Sequence, residues 1–114
     1  MAKGNVVSKA QIVKYVKEAF DPEDIDRVWS FLGRKFHFNI PAWKQEFNES
    51  IDQTIRHKSV QVQFMEFGKR RIEPLLNDIL CRRHYPTWIY LLSHILRDKI
   101  DTLRNRNQRF GNRF

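Results

Sequence analysis

The sequence predicts an all-α fold, a compact bundle of five to six helices, on three observations. Apolar residues recur at three-to-four spacing along most of the chain, the period of a helix with one buried face. Hydroxyl, carboxylate and proline start signals stand at the heads of several of these segments. Gly and Pro number only four each, fewer than a turn-rich all-β domain needs. With 41% apolar residues, including nine Phe, three Trp and three Tyr, the 114-residue chain is too apolar for disorder and long enough for one domain with a core.

Each element follows in order. Residues 1–7 read as a short lead. Ser8 and Gln11 form a capping box, each side chain serving the other's backbone N–H, and open a helix to about Phe20 carrying Ile12, Val13, Val16, Ala19 and Phe20. Asp21 and Pro22 start a second helix, with Asp21 accepting from its first amides and Pro22 losing no hydrogen bond at the first position. Its apolar face is Ile25, Val28, Trp29 and Leu32, and Gly33 is the expected stop. Phe36, Phe38 and Ile40 alternate with polar residues, and Val60–Phe64 is a strand-like counterpart. An isolated hairpin is marginal, so an irregular aromatic connection is preferred here.

Pro41 opens a third helix with Trp43, Phe47, Ile51 and Ile55 every four residues. His57, Lys58 and Ser59 break it; Val60, Phe64 and Phe67 form a short fourth helix that Gly68 is expected to end. A fifth helix presents Ile72, Leu75, Leu76, Ile79 and Leu80 as its apolar face, with Pro74 confined to its first turn and Tyr85-Pro86 as its stop. Thr87 caps a sixth, whose buried face is Trp88, Leu91, Leu92, Ile95, Leu96, Ile100 and Leu103. Residues 1–103 thus form one helical domain. Residues 104–114, with four Arg, three Asn and no acid, read as a basic C-terminal tail or linker.

Charge is uneven. Residues 1–57 hold nine Lys/Arg and eight Asp/Glu; residues 58–114 hold twelve and five, so the second half carries nearly all of the net +8. Such an excess points to an acidic partner, with solubility alone as the plainer reading. No apolar run is long enough to span a membrane, the first residues lack the apolar core of a secretory signal, and the lone Cys81 forms no internal disulfide, so a cytoplasmic location is expected.

Chemistry finds little purchase. Cys81 and His84 have ligand-like spacing and His94 could approach them, but a structural zinc site needs four ligands. Cys81 reads better as a small buried hydrophobe and His84 as a partner of a helix C-terminus. No glycine pattern resembles a phosphate loop. No catalytic residue, cofactor or metal is assigned, and the chain is expected not to be an enzyme. Lys69, Arg70 and Arg71 fall where the fifth helix should begin; positive charge there opposes the helix dipole and suits a phosphate or a partner's carboxylates.

Two stretches, VKEAFDPEDIDRVWSFLG at residues 16–33 and FMEFGKRRIEPLLNDILCRRHYP at residues 64–86, resemble the effector-associated domains of bacterial conflict systems, in the death-fold superfamily. The first is similar to that family's first helix end, acidic capped turn and second helix; the second to its late helix pair. The resemblance implies a death-fold-like bundle and homotypic adaptor pairing through charged faces.

The leading expectation is therefore a non-enzymatic protein–protein interaction module. Its basic face would comprise Lys69, Arg70, Arg71, Arg82 and Arg83, its acidic face Glu23, Asp24 and Asp26, and its partner a like domain, as in a homo-oligomer, or another protein. The alternative is a DNA- or RNA-binding protein that adds Arg104, Arg106, Arg109 and Arg113 to the same basic cluster.

Overall fold

The computed structural model turns Ser8 into the expected cap but leaves Asp21 and Pro22 ahead of the second helix, which begins at Asp24 without the expected side-chain cap. It describes the backbone of residues 7–52 and 57–111, and the side chains of all of these except 52 and 107–111. Regular structure among the described residues is helical, with no strand: α1 (Lys9–Ala19), α2 (Asp24–Phe36), α3 (Ile40–Asp52), α4 (Val60–Phe67), a π-helical turn (Gly68–Ile72), α5 (Glu73–Leu80), α6 (Thr87–Ile95) and α7 (Arg97–Gly111). The all-helical class expected from periodicity is what the chain adopts, and Val60–Phe64 lies within a helix. The chain gathers into two compact units, Met1–Phe20 with Ile89–Phe114, and Asp21–Trp88.

In the first unit α1 packs on α7. The Ser8–Gln11 capping box is present in both directions. Val16, Ala19 and Phe20 are buried, as are Leu92, Leu96 and Ile100, spaced four apart as one helical stripe requires. The sequence suggested one helix across Thr87–Leu103. The regular pattern instead breaks at Leu96 between α6 and α7, although Leu96 N–H still donates to Leu92 O and Ile100 N–H to Leu96 O. Lys99 Nζ donates to Ala19 O at 3.1 Å, placing a cation at the carbonyl end of α1, where the helix dipole favours it. The backbone stays helical through Gly111, so the loss of apolar period at residue 104 does not end α7.

In the second unit an aromatic cluster forms the core. Trp29, Phe47, Phe64, Phe67 and Trp88 are all buried. Trp29 meets Phe64 edge-on with centroids 5.0 Å apart, and Phe47 meets Phe64 at 5.3 Å. Edge-to-face pairs contribute about 0.5–1.5 kcal/mol each beyond the area they bury. The expected irregular connection shrinks to residues 37–39, because α2 takes in Phe36 and α3 begins at Ile40; within it Phe38 stacks on Trp43 at 5.7 Å. Ile55, the last position of the expected α3 stripe, lies outside the described residues.

Two glycines play parts the sequence did not suggest. Gly33 does not stop α2: the helix continues to Phe36, and His37 takes the left-handed conformation at φ 60°. A Cβ on Gly33 would sit 2.9 Å from Ile40 Cγ1, so the missing side chain lets the start of α3 approach. Gly68 does not stop α4 either. Its φ of −62° and ψ of −40° are right-handed helical, and α4 runs through the π turn into α5. A Cβ on Gly68 would fall within the Trp88 indole. That ring is held by its own donor, Nε1 to Met65 O at 2.9 Å.

The π turn has a cause and an effect. Its cause is Pro74, which in a regular α-helix would clash with the carbonyl four residues back, at Arg70, and has no N–H to offer it. The turn widens instead, and Glu73 N–H reaches five residues back to Gly68 O, so Pro74 sits in a first turn as the sequence required. Its effect is on phase. The buried positions run Phe64, Phe67, Gly68, Ile72 and Leu76, and repeated steps of four keep to one face only where the helix is wider than about 3.6 residues per turn. Ile72 and Leu76 thereby turn inward, while Leu75, Ile79 and Leu80, expected on the buried face, are exposed.

Candidate interaction surfaces

The second unit holds eight of the residues singled out by sequence, and the structure sorts them sharply. Lys69, Arg70 and Arg71 lie in the π turn, with no helix terminus near them. The expected phosphate-seeking amides of a helix start are absent there, because α4 continues through the turn and its N–H groups are used within it. Arg71 is committed internally: its Nε donates to Glu46 on α3, and its guanidinium lies 5.8 Å from the Trp43 ring centroid. The hydrogen bond to Glu46 and that carboxylate's charge push the Arg71 pKa further above its ordinary value. Arg70 sits over the Phe67 ring at 6.0 Å, and Lys69 is exposed.

Arg82 and Arg83 are at the other end of α5. This eight-residue helix spans about 12 Å at ~1.5 Å per residue. The five basic residues expected on one face therefore form two groups separated by a helix length. Helix α5 ends at Cys81, which adopts φ 55°, and Arg82 N–H closes the end by donating to Asn77 O at 2.9 Å. Cys81 is exposed, not the buried hydrophobe that composition suggested, because the left-handed cap carries it off the apolar face. Beyond it the Arg82 guanidinium stacks on Tyr85 at 4.9 Å.

The acidic face expected from Glu23, Asp24 and Asp26 loses its middle member. Asp24 is buried: one carboxylate oxygen accepts from Asp21 N–H at 2.9 Å and the other from Arg27 Nη1 at 3.3 Å. It caps the entrance to α2 from within, a role its position in the first turn allowed but its charge did not reveal. Glu23 and Asp26 are exposed.

What sequence reading missed is the surface between these groups. Leu75, Ile79 (52% exposed), Leu80 and Tyr85 are among the exposed large apolar side chains, with Arg82 and Arg83 beside them in the chain. Leu75 and Ile79, one turn apart, share a face of α5. The support beneath is rigid. Glu73 Oε1 accepts from Trp88 N–H at 3.0 Å, Asn77 Nδ2 donates to Tyr85 O at 3.2 Å, and Thr87 Oγ1 donates to Asn77 Oδ1. The first turn of α6 is thus capped by side chains of α5, and Thr87, expected as the cap itself, is a buried donor. A Glu and an Asn one turn apart, followed by a short loop and a Thr, were the only trace of this in the sequence.

Regrouping charge by unit also changes its meaning. Residues 21–88 hold eleven Lys/Arg and ten Asp/Glu, a net of +1, whereas residues 1–20 with 89–114 hold ten and three, a net of +7. Arg104 is half-buried and Arg106 exposed on α7; Arg109 lies on the same helix, and Arg113 lies outside the described residues. The excess thus belongs with α1 and α7, not with the π-turn cluster.

Among the described residues no group of three or more His, Cys, Asp or Glu is placed to hold a metal ion, and no helix is long and apolar enough to cross a membrane. Compared with protein-family models, with curated proteins and with solved structures, the chain matches none.

Proposed function

We propose that this chain is a non-enzymatic protein–protein interaction module that pairs with a second copy of itself through the α5 end of its larger unit. The observation that carries the reading is the outward apolar surface Leu75, Ile79, Leu80 and Tyr85 with Arg82 and Arg83 at its edge. An apolar centre with Tyr and Arg around it is the composition of association surfaces, where a few such side chains supply most of the binding energy. Charge complementarity names the partner. The unit that bears this surface carries a net charge of only +1 of the chain's +8, and the exposed carboxylates of Glu23 and Asp26 complement Arg82 and Arg83. A contact between two different surfaces of like chains is head-to-tail, and it builds rings or open chains.

Sedimentation velocity over a concentration series tests this. Self-association is expected, abolished by Ile79→Asp or by the pair Arg82→Glu and Arg83→Glu. It returns when Glu23→Arg and Asp26→Arg are added to the arginine reversals. A parent chain that remains monomeric at every concentration refutes homotypic pairing. Reversals that leave association unchanged refute this surface.

A further inference from the structure

The smaller unit carries a charge that this pairing does not use. We infer that α1 and α7 form a second surface that binds the phosphate backbone of a nucleic acid. The two helices alone hold eight basic residues and three acids: Lys9, Lys14, Lys17, Arg97, Lys99, Arg104, Arg106 and Arg109 against Glu18, Asp98 and Asp101. They pack on each other, so these charges belong to one body. Lys14 and Lys17, a turn apart on α1, are exposed, as are Arg97 and Arg106 on α7.

Composition along α7 sharpens the class of ligand. Its acids end at Asp101. Arg104, Asn105, Arg106, Asn107, Gln108 and Arg109 then occupy consecutive helical positions. A solvated helix can balance its bases with acids three or four residues away; Arg104 has Asp101 at three, but Arg106 and Arg109 have none at either spacing. Arginine with asparagine and glutamine is instead the set that meets phosphates and, through paired donors and acceptors, base edges. The 15-residue helix is about 22 Å long at ~1.5 Å per residue, enough to span several phosphates.

Two other polyanionic partners fit less well. An anionic membrane surface needs a free apolar face on the binding helix. On α7 Ile100 is buried and Leu103 half-buried, so that face is already turned inward. An acidic protein needs an apolar anchor beside the charges. All the exposed large apolar side chains among the described residues, from Val60 to Tyr85, lie in the other unit.

The test is fluorescence anisotropy of the full chain with labelled double-stranded DNA, double-stranded RNA and single-stranded RNA, each of about 20 nucleotides per strand. About four to six phosphate contacts predict an affinity loss of roughly 10²–10³-fold when monovalent salt rises from about 50 to about 200 mM. The triple variant Lys14→Glu, Lys17→Glu and Arg106→Glu should lose binding to whichever nucleic acid the parent binds, with an unchanged circular-dichroism melt. Arg82→Glu with Arg83→Glu should retain that binding while losing self-association, so this inference and the pairing proposal fail separately. Absence of binding to all three nucleic acids at low salt overturns the inference. So does retention of binding in the unit-one variant, or binding only to phosphatidylserine vesicles included as a competing arm.

Discussion

Replacing Gly68 by alanine isolates the contact between the π turn and Trp88. In an ordinary helix interior Gly→Ala stabilises by about 1 kcal/mol through backbone entropy. Here the new methyl falls on the Cε2, Cζ2 and Cη2 atoms of Trp88. That ring has little freedom to withdraw, because Nε1 donates to Met65 O, its own backbone N–H donates to Glu73, and Phe64 lies 5.7 Å away by ring centroids. Overpacking of this kind costs about 1–3 kcal/mol. Expelling the indole instead forfeits about 1.5–3 kcal/mol of burial and about 1 kcal/mol for the hydrogen bond. After the propensity gain, a net loss of about 2 kcal/mol is expected, lowering the melting temperature by about 6–12 °C for a chain of this size. Urea denaturation followed by circular dichroism measures it. Two controls bracket the result. Gly33→Ala meets only the half-exposed Ile40 side chain, which can shift, and should stay within about 1 kcal/mol of the parent. Gly68→Ala placed in a Trp88→Leu background should cost far less than in the parent, since the obstructing ring is gone. A Gly68→Ala chain as stable as the parent would show that the indole does not occupy this place.

Two further substitutions probe the caps. Asp24→Ala removes the acceptor for Asp21 N–H and the partner of Arg27, and should cost about 1–2 kcal/mol in the same denaturation assay. Cys81→Gly relieves a left-handed conformation at an exposed position and should stabilise by about 0.5–1 kcal/mol, visible as a higher urea midpoint with unchanged slope.

Helix existence was legible because it rests on local chemistry. The Ser8–Gln11 box, the break at Ser59 and the placing of Pro74 in a first turn all depend on residues within one turn of each other. Stops were less legible. Gly33 and Gly68 read as ends, but each is a glycine because another side chain, Ile40 or Trp88, needs the space, and that demand comes from across the fold. The left-handed ends fell instead to His37 and Cys81, residues without a glycine's signature. The candidate surface was the least legible part. A fixed helical period put Leu75 and Ile79 inside with Leu76, whereas the wide turn at Gly68–Ile72 sets the phase of α5 so that Leu76 faces the core and the other two face out. Charge was visible in amount but not in grouping, because α1 and α7 are far apart in sequence and adjacent in space.

The wide turn makes inside and outside a matter of a single residue. Removing one amino acid between Gly68 and Ile72 would let the backbone close at four instead of five, rotating all of α5 by about 100°. The leucines now facing water would then compete for the core with those already there, at no change in overall hydrophobicity. A sticky flank can therefore be gained or lost by a slip of phase, without recruiting new apolar side chains.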